Sequence, residues 1–157
     1  MTVIAMRRYP ALLILGAILL CLLPTPSRTE TPQTVEIITK SGIRVITAEV
    51  VASDDRIKKG LSGRKELPAG TGMLFDFRGE MLVVMETQDM LFPLDMIFIR
   101  PDGRIHKIAE NAEPGSHLQI YSDGTVRGVL EVPGGTAKLL GIAVGDRVAH
   151  RIFRAGR

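Results

Sequence analysis

The sequence has 157 residues, which is enough for one domain with a substantial hydrophobic core. It carries 20 Lys and Arg against 17 Asp and Glu, a formal net charge of +3 at pH 7. Two of the cations, Arg7 and Arg8, belong to an N-terminal stretch that we expect to be removed, which leaves 3 − 2 = +1 and argues against a nucleic-acid partner. The single cysteine, Cys21, lies in the same stretch, so we expect no disulfide, thiolate zinc site or cysteine nucleophile in the mature domain.

Residues 1–27 predict a secretory signal peptide. The basic pair precedes an uninterrupted apolar run, Ala11–Leu23, and the small residues Thr25 and Ser27 suit the positions before a cleavage site. The run is shorter than the roughly 20 residues that a membrane-spanning helix needs. We therefore expect an exported, periplasmic or extracellular protein, which would touch a membrane only if the segment stayed uncleaved as an anchor. Twin-arginine export and lipid attachment at Cys21 are further alternatives, although the residues beside both features fit them poorly.

The rest of the chain is predicted to form short strands separated by glycine and proline turns. Residues 28–33 are polar and predict a flexible lead-in, residues 34–153 the folded domain, and residues 154–157 a frayed tail. Runs rich in β-branched and apolar residues predict about eight strands. These are Thr34–Thr39, Ile43–Val51, Gly72–Phe77, Met81–Glu86, Leu94–Ile99, Ile105–Ala109, Gly128–Val132 and Arg147–Phe153.

Two helices are predicted, and both are short. Ser53 and the two aspartates after it favour a helix start, so we expect a helix over residues 54–62, and Thr136 is expected to cap a second one over residues 137–140. Strands do not alternate with long helices, which argues against a doubly wound parallel sheet. The pattern predicts a mainly β domain, a single antiparallel β-sandwich or partly open barrel, with a long loop over residues 110–123.

The strand Leu94–Ile99 is nearly continuous apolar sequence and is expected to lie in the middle of the folded domain rather than at its edge. Asp95 interrupts it, and a buried carboxylate is costly unless it has a partner. One interpretation is a carboxyl group with a raised pKa that acts as an acid or base. The alternative, which we favour, is a carboxylate that accepts backbone N–H bonds or pairs with an arginine.

Glu131 lies in another apolar strand. If that strand neighbours the central one, Glu131 and Asp95 could pair for hydrolysis or bind a hard cation; otherwise Glu131 faces solvent. Glu110 and Asn111 begin the long loop, and they are candidates either for ligand binding or for local loop structure.

Arg64 and His106 complete the set of candidate site residues. Arg64 follows a glycine and could clamp an anionic ligand or simply be solvated, and His106 lies on a strand, as a packing residue or a catalyst. The three histidines are far apart in sequence and propose no metal site. A phosphate-binding loop, a nucleophile elbow and a metal-binding histidine pair are all missing from the sequence, so we expect neither a cofactor nor a metal.

Five ordered blocks of the chain resemble the DUF192 family. The blocks are Gly60–Phe75, Phe92–Ile105, Glu110–Pro114, Val129–Ile142 and Val144–Val148, and the similarity extends over about residues 35–153. DUF192 is a family of small bacterial and archaeal domains of unknown function, several of which are exported. The resemblance implies a single compact, mainly β domain without an established reaction. The family's recurring polar positions match Asp95, Gly103, Glu110, Asn111, Glu131, Gly145 and Asp146.

Two segments depart from the family's pattern. Relatives usually have a sequence such as Trp-Met-Lys-Asn-Thr where this chain has Glu86–Met90, and Gly-Leu-Met where it has Gly60–Ser62. If the first block lines a site in relatives, that site is altered or lost here. This departure argues against a shared catalytic activity.

The sequence supports three hypotheses of different classes. The first is an exported, non-catalytic binding or accessory module with an unknown ligand or protein partner, because the scaffold is intact and no catalytic set is complete. The second is a hydrolase that uses Asp95, Glu110 and Glu131, which requires at least two of these carboxylates in one pocket. The third is a structural or assembly partner that docks through the apolar segments 81–84 and 90–92.

Overall fold

The computed structural model describes residues 31–153, so the predicted signal peptide (1–27) and frayed tail (154–157) lie outside the described residues. The predicted lead-in (28–33) is described only from residue 31, and Gln33 already belongs to the first strand. None of the helices in residues 31–153 is long and apolar enough to cross a membrane.

Nine strands, two α-helices and a 3-10 helix make up the described part of the chain. The strands are β1 (Gln33–Thr39), β2 (Gly42–Val51), β3 (Thr71–Met81), β4 (Val84–Met85), β5 (Leu94–Ile99), β6 (Ile105–Ala112), β7 (Ile120–Tyr121), β8 (Val126–Pro133) and β9 (Arg147–Ala149). The helices are α1 (Asp54–Lys59), α2 (Thr136–Leu140) and the 3-10 helix Arg151–Phe153. The prediction of a mainly β domain with two short helices is confirmed.

Seven of the strands form one sheet in the order β6-β5-β8-β3-β2-β1-β9, and β4 and β7 form a separate pair. Every strand pairing in the large sheet is antiparallel except the one between β2 and β3. Those two strands are parallel because α1 and the loop behind it first return the chain to the starting end of the sheet. The prediction of a mainly antiparallel sheet is therefore right for every pair but this one.

The large sheet curls until its two ends meet at the turn before β6. In that turn Arg104 forms a β-bridge with Arg147 of β9, and the Val148 N–H donates to the carbonyl of Gly103 at 2.8 Å. A Cβ atom on Gly103 would lie only 2.6 Å from the carbonyl oxygen of Val148, so only glycine fits at this closure. Of the two predicted architectures, the partly open barrel is the one that forms.

Buried apolar side chains cover both faces of this sheet. The inner cluster takes side chains from strands at both ends of the sheet, as a curled sheet requires, and includes Val35, Ile37, Ile46, Leu74, Ile97, Ile99, Leu130, Val132, Val148 and Phe153. The outer cluster lies mainly on β3, β5 and β8 and includes Val51, Leu61, Met73, Phe75, Val83, Met90, Leu94, Met96, Phe98 and Val129. All six residues of β5 are buried, and its side chains alternate between the two clusters, so this strand lies in the interior of the domain as predicted, although it is second from one end of the sheet.

Several of the predicted strands have different bounds in the structure. The predicted strand Met81–Glu86 is wrong, because Met81 ends β3 and only the two residues of β4 follow as strand. The pairing of β3 with β8 shifts register after Asp76, where Arg78 takes a φ of 58°, and β3 then continues to Met81. The last strand is shorter than predicted, since β9 ends at Ala149 and a 3-10 helix follows.

The predicted long loop over residues 110–123 is also shorter than expected. Strand β6 continues to Ala112 through a bulge in which Asn111 has a φ of 48°, and β7 forms later in the same segment. Each helix also differs from its prediction at one end. Helix α1 ends at Lys59, before the predicted end at Ser62, because Gly60 caps it. The N-cap of α2 is Gly135 rather than Thr136.

Candidate functional site

Asp95 lies on the inner face of the sheet and is fully buried. Its Oδ1 accepts N–H bonds from Asn111 at 2.8 Å and Gly135 at 3.0 Å, and its Oδ2 accepts one from Ala137 at 2.7 Å. Three backbone donors compensate the desolvation of the carboxylate and connect β5 to the bulge of β6 and to the turn before α2. The carboxylate has the backbone partners that the sequence predicted, and its position points to a role in architecture.

Asn111 contributes to this cluster through its backbone and its packing. Its side-chain oxygen lies where a Cβ atom on Gly134 would approach it to 2.8 Å, so the amide covers the glycine pair of the β8–α2 turn. The side chain is exposed, as is that of its neighbour Glu110. The local structural role that we considered for Asn111 therefore accounts for its position, and no ligand is needed to explain it.

Glu131 lies on the opposite, outer face of the sheet. In the register of the three strands it stands between Met73 of β3 and Met96 of β5, so an apolar neighbour flanks it on each side. Its side chain is 4% exposed and has no hydrogen-bond or ion-pair partner among residues 31–153. Burial without a partner raises the pKa of Glu131 to about 8, so the carboxyl group is mostly protonated at neutral pH.

A cavity of about 370 Å3 opens in front of Glu131, and we call it the Glu131 cavity. Its walls come from residues 57–62 at the end of α1, from Phe75 and Phe77 of β3, and from residues 83–90 around β4. The carboxyl oxygens of Glu131 keep a small accessible surface, and Glu131 lines this cavity, so the carboxyl group faces the opening. A protonated carboxyl group buried among apolar side chains, in a pocket with charged side chains at its rim, is an arrangement typical of a small-molecule site.

The structure does not bring the three candidate carboxylates together. Strand β8 does neighbour β5, but Asp95 pairs with Val132 and Met96 pairs with Glu131. This offset of one residue places the two acids on opposite faces of the sheet. Glu110 is exposed on the edge strand β6. The clustered site that the hydrolase hypothesis requires does not form, and residues 31–153 hold no group of three or more His, Cys, Asp or Glu side chains suited to a metal.

Arg64 and His106 both have protein partners. Arg64 donates two bonds to the carboxylate of Glu49, at 2.6 and 2.8 Å, which lowers the pKa of Glu49. His106 is half-buried, and its Nδ1 lies 2.8 Å from a guanidinium nitrogen of Arg100. Neither side chain lines the Glu131 cavity, so neither is placed to act on a ligand there.

The apolar segments proposed for docking divide between surface and cavity. Leu82, Val84 and Leu91 are exposed, whereas Val83 and Met90 are buried and line the Glu131 cavity. The sequence reasoning did not foresee that these segments form a pocket wall. The available signal was the departure from the DUF192 pattern, because both departing blocks, Gly60–Ser62 and Glu86–Met90, contribute to this one cavity.

Comparison with known proteins identifies relatives of this domain. The family DUF192, described as an uncharacterized ACR, matches residues 36–150. A crystal structure from Sinorhizobium meliloti, provisionally described as a transcription regulator, is 38% identical with a TM-score of 0.74, over 77% of this chain and 95% of that one. A protein of unknown function from Novosphingobium aromaticivorans is 32% identical with a TM-score of 0.75, over 80% of this chain and 90% of that one. No curated protein matches the chain.

Proposed function

Because this chain belongs to the DUF192 family, whose description names no activity, we propose from its geometry that it is an exported, non-catalytic binding module whose ligand site is the Glu131 cavity. Export rests on the signal-like residues 1–27. The binding role rests on the cavity and the carboxyl group at its floor.

The observation that carries this proposal is the isolation of Glu131. A buried polar group without a partner destabilises a folded protein, and Glu131 is surrounded by apolar side chains that could cover a leucine equally well. A ligand that bonds to the carboxyl group would supply the missing partner. The unpaired acid therefore favours a site that is completed by binding.

Binding is favoured over catalysis by the surroundings of the acids. Hydrolysis by paired carboxylates needs two groups that face one bond, and here Asp95 is occupied by backbone donors on the other face. The acids at the cavity rim, Glu86 and Asp89, are exposed and therefore remain hydrated.

The binding proposal is tested with N-phenylnaphthylamine, an uncharged apolar dye that fluoresces when it enters a protein pocket. The protein is purified with the N-terminus that it has in cells. It is expected to increase the fluorescence of the dye until the site is saturated. Val84→Trp places a large side chain in the cavity wall and is expected to weaken dye binding about tenfold or more. Val144→Trp is the matched control, because Val144 is also exposed and lies outside the cavity. Equal dye binding by the two variants, or none by the parent, would overturn the proposal.

Export is tested separately. The N-terminal residue of the protein recovered from cells is determined by mass spectrometry after the cells are fractionated. Cleavage near Ser27 and recovery from the periplasmic or extracellular fraction are expected. A mature N-terminus at Met1 in the cytoplasmic fraction would overturn the export half of the proposal and leave the binding half standing.

A further inference from the structure

A second cavity adjoins the one in front of Glu131, and we call it the Met81 cavity. It measures about 410 Å3 and is lined by residues that include Met81, Leu82 and Arg78. The two cavities share five wall residues, which are Ile57, Lys58, Phe77, Val83 and Val84. Because Lys58 and Val84 in this shared wall are exposed, a ligand chain can pass over them from one cavity into the other.

The Met81 cavity offers an apolar surface without a polar floor. Met81 is 47% exposed and Leu82 is 69% exposed, and both line this cavity together with Phe77. Covering apolar surface stabilises a complex by roughly 25 cal/mol for each Å2 removed from water. This end of the site therefore suits a hydrocarbon chain.

The Glu131 end suits a hydrogen-bonding head group. A protonated carboxyl group can donate one hydrogen bond and accept others, and Glu131 has no protein group among the described residues to use them on. Ligand groups such as an amide or a hydroxyl can meet both capacities at once. A cationic head would ionise the acid and place two charges in a buried wall, and an anionic head would lose its hydration in exchange for one donated hydrogen bond, so both pay a desolvation cost that an uncharged head avoids.

Charges at the rim give the same preference for an uncharged ligand. The Glu131 cavity is lined by two lysines of α1, Lys58 and Lys59, and by two exposed acids of the segment around β4, Glu86 and Asp89, so neither sign prevails. A rim that selected anions or cations would carry a surplus of the opposite charge. The balance leaves hydrogen bonding and apolar contact to decide what binds.

Methionine side chains supply adaptability along this path. All five methionines of residues 31–153 lie in the outer cluster or its cavities, and they are Met73, Met81, Met85, Met90 and Met96. The inner cluster contains none. Unbranched, polarizable methionine adjusts to flexible partners of varied shape, which suits a pocket for alkyl chains.

Building on the proposed binding function, we propose that the ligand is an uncharged single-chain amphiphile. Its hydrogen-bonding head meets Glu131 in the first cavity, and its apolar chain crosses the shared wall at Phe77 and ends on Met81 and Leu82. The chemical class includes fatty amides and fatty alcohols.

The head group is tested by displacement of N-phenylnaphthylamine from the purified protein with three eight-carbon compounds, octanamide, octylamine and octanoate. Octanamide is expected to displace the dye at a concentration about tenfold lower than either charged analogue. Glu131→Leu is expected to abolish that preference, because the hydrophobic variant offers no hydrogen bond. Equal or tighter binding of octylamine or octanoate to the parent would overturn the assignment of an uncharged head.

The chain is tested with longer and shorter amides and with the outer cavity altered. From hexanamide to decanamide, affinity is expected to rise by up to about fourfold for each methylene, the value for full burial of a CH2 group. Leu82→Asp is expected to remove most of that rise, whereas Leu139→Asp, which changes a still more exposed leucine on α2 (83% against 69%), leaves it unchanged. A rise unaffected by Leu82→Asp, or no rise at all, would overturn the path of the chain. If either of these results were found while the parent protein still bound the dye, only the amphiphile proposal would fail. If the parent did not bind the dye, the binding function itself would fail as well.

Discussion

Asp95 and Glu131 are two buried acids on neighbouring strands, and the sheet treats them in opposite ways. Asp95 faces inward and accepts three backbone N–H bonds, whereas Glu131 faces outward, has no partner among the described residues and borders a cavity. Both are nearly inaccessible to solvent, so burial alone does not distinguish them. The difference lies in what surrounds each carboxyl group.

Because of this difference, the Asp95 carboxylate stabilises the fold, whereas the buried carboxyl group of Glu131 destabilises it. Removing the Asp95 carboxylate would leave backbone donors of β6 and α2 unpaired. Removing the Glu131 carboxyl would leave no group in residues 31–153 without its partner. The inner acid is therefore expected to be needed for folding, and the outer acid to be needed only for what the cavity binds.

The largest expected effect comes from Asp95→Asn. The amide keeps one accepting oxygen, but its NH2 group would face the N–H of Ala137, which now donates to Oδ2 at 2.7 Å. We expect the free energy of unfolding, measured with urea, to fall by about 3 kcal/mol or more. Asp102→Asn is the control, because Asp102 is exposed and accepts one backbone N–H, from Arg104, and its loss should stay below about 1 kcal/mol. A stable Asp95→Asn protein that no longer binds dye would reverse the roles of the two acids.

The next effect has the opposite sign and concerns Glu131→Gln. Burial raises the pKa of Glu131 from 4.5 to about 8, so below pH 4.5 the group is protonated in the folded and unfolded states alike. Between these values only the unfolded state ionises, and the free energy of unfolding falls as pH rises, by about 3 kcal/mol at pH 7. Glutamine cannot ionise, so the variant is expected to be more stable than the parent by up to about 3 kcal/mol at pH 7 and by little at pH 4.

Urea unfolding across this pH range measures the difference. Glu66→Gln, which changes an exposed glutamate in the loop before β3, is the control and is expected to leave the pH dependence of the parent intact. If Glu131→Gln were destabilising at both pH values, the carboxyl group would be holding the fold together, and the contrast with Asp95 would disappear.

The contrast between the two acids is only half visible in the sequence. A carboxylate inside an apolar strand must find donors, and that requirement alone predicts that Asp95 has backbone or arginine partners. The same reasoning could not place Glu131, because a one-residue offset between β5 and β8 decides which face it occupies. Hydrophobic patterns identify strands such as Leu94–Ile99. A strand that is apolar on both faces, however, does not indicate the register in which it pairs with its neighbours.

The cavity is hidden from sequence reasoning for a similar reason. Its walls combine residues 57–62 with residues 83–90, and nothing local indicates that these segments meet. The parallel pairing of β2 with β3 brings α1 over the outer face, and that crossover was not predicted. The departures from the DUF192 pattern at Gly60–Ser62 and Glu86–Met90 marked both segments, although only the fold shows that they share a pocket.

The smallest expected effect concerns a third acid, Glu49, which has a partner but lies at the exposed margin of the outer face. Its bonds from Arg64 lower the pKa of Glu49, so the stabilisation is present above pH 4.5 and is lost as pH falls through the lowered pKa. Solvent screens the pair, whose side chains are 36% and 28% exposed, and Arg64→Met should therefore cost only about 0.5 kcal/mol at pH 7 and nothing in acid. Arg104→Met, which breaks a longer and more exposed pair, is the control and is expected to cost less. If Arg64→Met abolished dye binding without changing stability, Arg64 would belong to the ligand site. An acid that has a protein partner could then no longer be assigned a purely structural role on that ground.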